Sequence, residues 1–379
     1  MATSVEPIRS RRERRLFRDL PERLFGNDPA FVPPLRHAFD ALLNRRRNPY
    51  WKHAEAQEWL AWRDGECVGR IGACFDRQLT ARAPGTGSVG FFESVDDAAV
   101  ARALFETAEG WLGGHGLDRA RGPLNYSVHD TAGLLVDGFD TPPTVDTTWN
   151  PPFYVGLWEG HGWEGATDLL GTAGPVRKGG SDRVRRVADM AKKRGVVARP
   201  LDFSRFKEEM GRLLDIYNAA WDENWGHVPI SREEFFFKAS DMKAIVDRKT
   251  VWLAEKDGKT IAFLLTLPDL NVAIKKSRGR LLPFGWWRLL QAKRGGRLRV
   301  VLMGVLPGHR VRGVEVLLLN ACYGGMGDRY DWAEASWVLE SNKTLLNGLE
   351  EHSLLPYKRW RLYEKRIRAS GNKPDPEGV

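Results

Sequence analysis

The sequence predicts an α/β protein made of two similar halves, each a mixed, mostly antiparallel, twisted sheet flanked by helices. In the first half, "EWLAWRDGECVGRIGACFDR" places an Asp-Gly turn between two alternating runs, which is typical of a β-hairpin. The second half has the same arrangement about "KDGK". Each hairpin is followed by a strand, a helix, a strand, a helix and a strand, and this repeated order indicates an internal duplication.

The first half begins with an arm and a helix in residues 1–50, the helix in "FDALLNRRRNPYW". After the hairpin, "GSVGFFES" predicts a third strand. The segment "DDAAVARALFETAEGWLGGHGL" predicts a helix, because acids precede it, apolar residues recur at helical spacing and glycines end it. The remaining predictions are a strand and loop in "DRARGPLNYSVHDTAGLLVDGFD", then a short helix, turn and strand in "NPPFYVGLWEGHGWEGATDLL".

The second half opens with a helix in "FKEEMGRLLDIYNAAWDENWG". The elements predicted after it are the hairpin "TVWLAEKDGKTIAFLLTLPDLN", the strand "RVVLMGVLP", the helix "VEVLLLNACYGGMG", the strand "YDWAEASWVLESN", the helix "KTLLNGLEEH" and the strand "YKRWRLYEKRI". The predicted segments are an N-terminal arm and helix (1–50), a first domain (51–176), a basic linker (177–200) and a second domain (201–379).

Length and composition exclude several protein classes. A chain of 379 residues is longer than a single hydrophobic core usually supports, so two domains are expected. Its three cysteines are too few and too scattered for a disulfide framework, and His129 and His161 have no partners at metal-ligand spacing. The sequence has no apolar run of the ~18 residues that a membrane helix needs, and no apolar run follows the basic N-terminus. We expect a cytoplasmic protein without a membrane span or a metal.

The net charge of +9 is concentrated locally. From Lys275 to Arg299 the chain holds nine basic residues and no acid, interrupted by Trp286 and Trp287, and residues 177–195 are also basic. Such patches suit an anionic partner, namely a phosphorylated cofactor, RNA or an anionic membrane surface, although a solvated face is the simpler alternative. The tryptophans could stack on bases or anchor a loop to the core.

One loop has the layout of a phosphate cradle. The strand "LRVVLMGV" leads through a proline, a basic segment and Gly313 into an apolar helix. Backbone N–H groups at such a helix start can bind phosphate. Glu315, however, places a carboxylate on the first turn, where a second small residue would let a pyrophosphate approach.

These features resemble the GNAT superfamily of N-acetyltransferases in tandem, and specifically an uncharacterised bacterial family of long GNAT-like proteins, the YghO-like group. The resemblance covers nearly the whole chain. The segments that carry it are "FVPPLR" (Phe31–Arg36), "GRIGA" (Gly69–Ala73), "GFFE" (Gly90–Glu93), "RGPLNYS" (Arg121–Ser127), "NPPFY" (Asn150–Tyr154), "WDENWGHVP" (Trp221–Pro229), "PDLN" (Pro268–Asn271), "EASWVLESN" (Glu334–Asn342) and "YKRWRLYEK" (Tyr357–Lys365).

The resemblance implies acetyl-CoA or another acyl-CoA as cofactor. In the superfamily loop Arg/Gln-x-x-Gly-x-Gly/Ala, the three defined positions here hold Arg310, Gly313 and Glu315, of which the last departs from the pattern. The implied cofactor residues are Val305, Arg310, Arg312 and Gly313. The matching place in the first half, "FFESVDDAAV", has no glycine and three acids, so the first domain is predicted to be a degenerate copy.

The superfamily also uses a tyrosine, in the helix after the fifth strand, to protonate the departing thiolate. Alignment places Trp158 in the first half and Leu349 in the second half at that position. Tyr357 or Tyr363, on the final strand, could supply the missing acid.

Candidate catalytic carboxylates, together with Ser336 as a candidate substrate residue, lie on the fifth strand of the second half. Alternation places Glu334, Ser336 and Glu340 on one face, and in the superfamily a carboxylate there can draw a proton from an amine. Alternatively, an acid on this strand pairs with a basic neighbour such as Arg359 or Arg361. Asn342 is better explained as the cap of the next helix.

Candidate substrate residues lie in two further segments. Asp222, Asn224 and Trp225 belong to the region that covers the acceptor pocket in the superfamily, although a helix end held by buried tryptophans is an alternative. Asp269 and Asn271 follow the second strand of the second half, where they could bind substrate or form an Asx-turn.

Three functions remain open from the sequence. The first is an acyltransferase that moves an acyl group from CoA or a related thioester to a small-molecule or peptide amine, with the C-terminal half active. The second is transfer from aminoacyl-tRNA, which the Lys275–Arg299 run would bind. The third is a non-catalytic binding protein of GNAT fold.

Overall fold

The structure, a computed structural model, describes residues 3–176, 182–310 and 313–369. The chain forms two compact units: unit 1 contains the residues up to Asp168 and the described residues from Trp360 onward, and unit 2 is Leu169–Arg359. Residues 177–181 of the predicted basic linker lie outside the described residues. The segment boundaries predicted from the sequence stay predictions.

The regular elements are as follows. The strands are β1 (Ser4–Pro7), β2 (Ala54–Arg63), β3 (Glu66–Asp76), β4 (Thr86–Ser94), β5 (Arg119–Gly122), β6 (Leu134–Asp137), β7 (Glu164–Pro175), β8 (Val197–Pro200), β9 (Trp252–Lys256), β10 (Lys259–Pro268), β11 (Gly296–Val305), β12 (Tyr330–Leu339) and β13 (Leu355–Arg366). The helices are α1 (Arg11–Phe25), α2 (Arg36–Leu42), α3 (Arg77–Arg82), α4 (Ala98–Gly114), α5 (Phe153–Gly160), α6 (Asp182–Lys193), α7 (Phe206–Trp221), α8 (Arg232–Ile245), α9 (Asn271–Lys276), α10 (Gly285–Ala292), α11 (Val314–Met326) and α12 (Lys343–Glu351).

Both units contain a mixed sheet, so the predicted fold class is confirmed. In unit 1 the sheet order is β1-β2-β3-β4-β5-β13-β7. In unit 2 it is β13-β7-β12-β11-β10-β9-β8. Strands β7 and β13 appear in both orders because the residues of each are divided between the two units. Among the described strands, β4 pairs with β5 and β11 pairs with β12 in parallel, whereas the pairs β2–β3, β3–β4, β9–β10, β10–β11, β7–β12 and β5–β13 are antiparallel. A helix connects the members of each parallel pair, α4 in unit 1 and α11 in unit 2.

The two predicted hairpins are confirmed, and local chemistry explains them. Asp64 and Gly65 join β2 to β3 with φ of 51° and 79°, and Asp257 and Gly258 join β9 to β10 with φ of 49° and 73°. Positive φ at both central residues is the two-residue turn whose twist matches the flanking strands, and Asp-Gly tolerates it well.

Helices cover the sheets through apolar faces. In unit 1, α4 buries Val100, Leu104 and Leu112 in the core that also holds strand residues of β2, β3 and β4. In unit 2, α11 is buried among β10, β11 and β12, and α6 adds Ala188 and Ala191 to the same core. The start of α11 is therefore held between the sheet and α6.

The N-terminal segment differs from the prediction of an arm and one helix. Residues Arg11–Phe25 form α1, which Ser10 and Glu13 begin with reciprocal side-chain to backbone hydrogen bonds. The helix buries Phe17 and Leu20, while most of its arginines are exposed. The high charge of this stretch concealed a narrow apolar stripe.

Within the described residues, no helix combines the length and apolar character needed to cross a membrane. In that same part of the chain, no group of three or more His, Cys, Asp or Glu side chains is arranged to hold a metal ion. All three cysteines are buried and free.

Candidate active site

Two parallel strands of unit 2, β11 and β12, separate along their length. Their pairing ends at Val300 opposite Ala335, whereas β11 continues to Val305 and β12 to Leu339. In open α/β sheets, ligands bind beyond the carboxyl ends of strands where neighbours separate. The side chains around this divergence are therefore the first candidates for a site.

Glu334 of β12 is fully buried beside this divergence. Ser336 donates a hydrogen bond to one of its carboxylate oxygens, and Tyr357 of β13 donates to the other. A buried carboxylate requires such donors, because an unpaired charge away from water is strongly unfavourable. The structure thus brings together three of the predicted site residues, Glu334, Ser336 and Tyr357.

Tyr357 is held as a protonated donor. Its burial and the adjacent negative charge of Glu334 raise the pKa of the hydroxyl well above the ordinary value near 10. The Tyr357 ring also packs edge-on against Trp332, with the ring centres 6.0 Å apart. A phenol that keeps its proton is therefore fixed against a buried carboxylate.

Arg299 reaches from β11 across the divergence to β12. Its Nε donates to Ser336 Oγ at 3.0 Å, and its Nη2 donates to the Ser336 carbonyl oxygen at 2.9 Å. The side chain is 2% exposed, and its guanidinium carbon lies 5.3 Å from the centre of the Trp337 ring. A chain of hydrogen bonds therefore runs from a buried positive charge through Ser336 to Glu334.

Asp269 and Arg297 form an ion pair near Tyr357. Arg297 Nε lies 3.8 Å from Asp269 Oδ2, and its guanidinium carbon lies 3.7 Å from the centre of the Trp332 ring. Asp269 Oδ1 also accepts the backbone N–H of Asn271 at 3.1 Å. Asp269 and Asn271 thus form the Asx-turn that was the structural alternative in the sequence, and this turn begins α9.

The predicted cofactor loop runs from the end of β11 to the start of α11. Val305 is buried at the end of the strand, and Arg312 lies outside the described residues. Gly313 opens α11 with φ of 80°, and a Cβ at this position would lie 2.7 Å from the Val187 carbonyl oxygen of α6. Glycine is therefore required both by the backbone conformation and by the close approach of α6.

Arg310 ties this loop to the end of α7. Its Nη2 donates to the Ala220 carbonyl oxygen at 2.6 Å, its Nε donates to the Val305 carbonyl oxygen at 3.4 Å, and its Nη1 lies 3.8 Å from the Glu223 carboxylate. Glu315 is half-buried on the first turn of α11, where a carboxylate interacts favourably with the positive end of the helix dipole.

Asn224 and Trp225 lie in the loop after α7. The Asn224 N–H donates to the Trp221 carbonyl oxygen at 2.8 Å, and the Asn224 carbonyl oxygen accepts from the His227 N–H at 3.1 Å. Trp225 is half-buried. The neighbouring Glu223 brings this loop next to Arg310, on the cofactor-loop side of unit 2.

Glu340 and Asn342 follow the end of β12. Glu340 forms an ion pair with Arg359 at 3.0 Å, with both side chains partly exposed. Asn342 accepts the backbone N–H of Leu345 at 3.1 Å and caps α12. Glu340 therefore forms the ion pair with a basic neighbour that was the alternative to a catalytic role. The capping role of Asn342 is confirmed.

Arg297 and Arg299 were not predicted as site residues, because in the sequence they belong to a run of basic residues typical of a surface. A signal was present, however. The two cations alternate with Leu298 and Val300 in an otherwise apolar strand, so both point to one face of a sheet that is largely buried.

In unit 1 the corresponding parallel strands, β4 and β5, also separate, but the chain itself fills the gap. The Leu124 N–H donates to the Val89 carbonyl oxygen at 2.8 Å, and the side-chain oxygen of Asn125 accepts the Phe91 N–H at 2.8 Å. A Cβ on Gly90 would lie 1.9 Å from the Leu124 carbonyl oxygen, so only glycine permits this approach. Residues after β5 thereby occupy the inner edge of β4.

Tyr154 of α5 closes the end of the same strand. Its hydroxyl accepts the Ser94 N–H at 2.8 Å and donates to Glu93 Oε2 at 2.8 Å, while Glu93 Oε1 lies 3.2 Å from Nη2 of the buried Arg70. Burial raises the pKa of both Glu93 and Tyr154. Trp158, which the alignment placed at the superfamily tyrosine position, is instead fully buried in the core.

Both units share one arrangement, in which a hairpin precedes a helix-connected parallel strand pair that separates toward its carboxyl ends. This is the fold of GNAT N-acetyltransferases, present twice. A solved structure, the tandem GNAT protein from the clavulanic acid biosynthesis pathway without AcCoA, aligns with 98% of this chain and 100% of that chain, at a TM-score of 0.59 and 12% identity.

No protein-family model matches the chain. The bacterial ceramide synthase of Caulobacter vibrioides (strain NA1000 / CB15N) is 36% identical over 379 residues, which cover 96% of this chain and 97% of that protein. Protein YghO of Escherichia coli (strain K12) is 35% identical over 380 residues, which cover 96% of this chain and 95% of that protein. The chain belongs to the family of these two proteins, as the resemblance to the YghO-like group predicted.

Proposed function

We propose that this protein is an N-acyltransferase that moves an acyl group from CoA or a related thioester to an amine, with unit 2 as the active half. The observation that carries the proposal is the buried Glu334 carboxylate, held by the Ser336 and Tyr357 hydroxyls beside the divergence of β11 and β12. An acid and a base side by side at the divergence of two parallel strands support acyl transfer to an amine at this position.

The family relationship supports a narrower substrate class. One relative is named a ceramide synthase, and a ceramide is a long-chain amino alcohol whose amine carries an acyl group. We therefore infer that the acceptor is the amine of a long-chain amino alcohol and that the donor carries a long acyl chain.

The residues after β11 fit a thioester donor in part. The divergence beyond Val300 and the left-handed Gly313 suit a donor arm that ends at the positive start of α11. Val305 and Gly313 would hold this donor, whose thioester supplies the activated acyl group. Glu315 on the first turn of α11 opposes a pyrophosphate, so the fit is better for the pantetheine arm than for the phosphates.

Acyl transfer to an amine forms a C–N bond and breaks a C–S bond, so one proton leaves nitrogen and one reaches sulfur. Glu334 is fully buried with both oxygens hydrogen-bonded, so it accepts the amine proton through the Tyr357 hydroxyl. Tyr357, whose raised pKa keeps it protonated, donates to the departing thiolate and regains a proton from Glu334. The amine proton thus ends on the thiol, and the pair returns to its initial state.

Arg299 and Ser336 act as positioning residues in this scheme. Arg299 fixes Ser336 through two hydrogen bonds, and Ser336 fixes one oxygen of Glu334. The other oxygen then faces Tyr357. This arrangement orients the base before any substrate binds.

Unit 1 is proposed to support the fold without a donor site of its own. Leu124 and Asn125 occupy the gap between its parallel strands, and Tyr154 bonds the last N–H of β4. These contacts use the backbone groups that a donor arm would need.

The test is an N-acylation assay on the purified full-length protein, with sphinganine as acceptor and acetyl-CoA or palmitoyl-CoA as donor, and with the amide product measured by mass spectrometry. We expect Glu334→Gln to lower kcat by about a hundredfold or more, as loss of a general base does. Glu340→Gln, the same change in an ion pair at the strand end, should leave kcat nearly unchanged.

Equal turnover by the parent and Glu334→Gln would overturn the assignment of the base. Transfer from aminoacyl-tRNA with no transfer from any acyl-CoA would support the second function that the sequence left open. No transfer from either donor would leave a binding protein of this fold.

A further inference from the structure

The connection between β10 and β11, residues 271–295, carries an exposed apolar surface. It holds six of the nine strongly exposed large hydrophobic side chains in the described part of the chain, which are Val272, Leu282, Phe284, Trp286, Trp287 and Leu290. Scattered exposed hydrophobic residues are ordinary, but a cluster of this kind marks an interaction surface.

The segment is folded rather than extended. Leu289 of α10 is buried, and Arg288 Nη1 donates to the Lys276 carbonyl oxygen at 2.6 Å, which joins α10 to α9. The indole N–H of Trp286 donates to the Pro283 carbonyl oxygen at 3.1 Å, so this ring can leave water without losing a hydrogen bond. The exposed apolar side chains therefore project from a folded segment with a defined structure.

Positive charge surrounds the apolar side chains. No acidic residue occurs between Asp269 and Glu315. The exposed cations of the segment include Lys276, Arg278, Arg280, Arg288 and Arg294. Long cationic side chains can lie along an apolar surface and keep their charged ends in a polar layer above it.

The base of the segment adjoins the proposed acyl-transfer site. The Asp269 N–H donates to the Arg297 carbonyl oxygen at 2.9 Å, where the segment leaves and rejoins the sheet. Arg297 packs on Trp332, and the Trp332 ring contacts Tyr357. A partner bound by this surface would therefore lie near the proposed base, Glu334.

We propose that residues 271–295 dock on the surface of an anionic lipid bilayer. The aromatic and aliphatic side chains enter the interfacial layer while the cations meet lipid phosphates. Docking is argued from the exposed residues alone. Its purpose, to present a membrane-held long-chain amine to Glu334, rests on the proposed function.

RNA is the competing partner, because the same cations attract phosphate and the tryptophans could stack on bases. The aliphatic residues favour the membrane. Val272, Leu282 and Leu290 have neither a stacking face nor a hydrogen-bonding group, and they gain free energy only by leaving water.

The test is flotation of the full-length protein with vesicles of phosphatidylcholine alone and with vesicles of equal parts phosphatidylcholine and phosphatidylglycerol. The parent should float with the anionic vesicles, and added salt should weaken the binding. A charge variant, Lys276→Gln with Arg280→Gln and Arg294→Gln, should bind about a hundredfold more weakly, since each cation near an anionic surface contributes about fivefold.

An apolar variant, Phe284→Ser with Trp286→Ser and Trp287→Ser, should lose the binding that persists in salt. The control, Met190→Ser with Lys192→Gln and Lys193→Gln, makes the same kinds of change on exposed residues of α6 and should bind like the parent. Thermal unfolding of all variants establishes that they are folded.

Docking is overturned if the parent does not float, or if the apolar variant floats as well as the parent in the presence of salt. If the parent binds tRNA but does not float, and only the charge variant loses the tRNA binding, the surface would be assigned to RNA. A dimer that the apolar variant dissociates, again without flotation, would assign it to a second copy of the chain.

A separate assay distinguishes docking from the proposed function. Acyl transfer to a short, water-soluble amine without vesicles depends on the Glu334 site alone. Flotation without such transfer would support docking and overturn the proposed acyl transfer. Transfer without flotation would support the acyl transfer and overturn docking.

Discussion

The hydroxyl of Tyr357 donates a hydrogen bond to the carboxylate of Glu334, although β7 lies between their strands in the order of the unit 2 sheet. The register places Ala173 of β7 opposite Glu334, and this small side chain leaves room for the hydrogen bond. The proposed acid and base thus lie on consecutive strands that are separated in the sheet by β7, a strand from a distant part of the sequence. Single substitutions can separate their contributions.

Tyr357→Phe removes the hydroxyl and keeps the ring. We expect kcat to fall by about a hundredfold with little change in KM, because the proposed proton donor is lost and no binding group is removed. Steady-state kinetics of N-acylation measure this. Tyr363→Phe is the matched control, since that hydroxyl bonds Glu159 at 3.1 Å in unit 1, and it should keep the parent kcat. A parent-like kcat for Tyr357→Phe would remove the tyrosine from the mechanism.

His352 is expected to lower the stability of the folded protein at acid pH. It is 4% exposed, and burial lowers the pKa of its imidazole from an ordinary 6.5 to about 4. Below 6.5 the unfolded chain binds a proton that the folded chain does not, so stability is full above pH 6.5 and is lost as the pH falls toward about 4. By that pH the free energy of unfolding should have dropped by about 3 kcal/mol from this group.

Urea unfolding at neutral pH and at mildly acid pH measures the effect. His352→Phe should reduce the difference between the two conditions, because phenylalanine fills the same site beside Tyr323 and cannot be protonated. The exposed His37, changed to Phe, is the control and should retain the parent difference. An unchanged acid sensitivity in His352→Phe would show that other groups dominate.

Much of the fold could be predicted from local sequence. The Asp-Gly turns and the helical spacing of α4 are short-range signals, and both are confirmed. Alternation placed Glu334 and Ser336 on one face of β12. The role of Arg299 was hidden, because its partner Ser336 lies 37 residues away on a strand whose register no local pattern specifies. The same limit applies to Gly313, whose close neighbour Val187 belongs to a distant helix.

Gly313→Ala should destabilise unit 2. The backbone at φ of 80° disfavours a Cβ, and that atom would lie 2.7 Å from the Val187 carbonyl oxygen. We expect the free energy of unfolding to fall by about 2 kcal/mol or more, as measured by urea titration. Gly308→Ala, in the same loop but with open space around it, should change stability little. Equal stability of the two variants would mean that α6 moves away easily.

Glu315→Gln tests the charge at the start of α11. Removal of a carboxylate where a phosphate approaches should tighten CoA binding by about tenfold, the equivalent of about 1.4 kcal/mol. Calorimetric titration with CoA measures this. Glu233→Gln, a first-turn change on α8, is the control and should bind like the parent. Tight binding that the Glu315 change does not alter would show that this carboxylate is directed away from the donor.

Tyr154→Phe tests the proposal that unit 1 supports the fold without performing the chemistry. The change leaves the buried Ser94 N–H without its acceptor and takes a donor from Glu93, so the free energy of unfolding should fall by about 2 kcal/mol. The kcat of the folded enzyme should be preserved. Tyr323→Phe is the matched control, because that buried hydroxyl has no hydrogen-bond partner in the described chain and its loss should be neutral or stabilising. A Tyr154→Phe enzyme that keeps its stability but loses kcat would place the acyl transfer in unit 1.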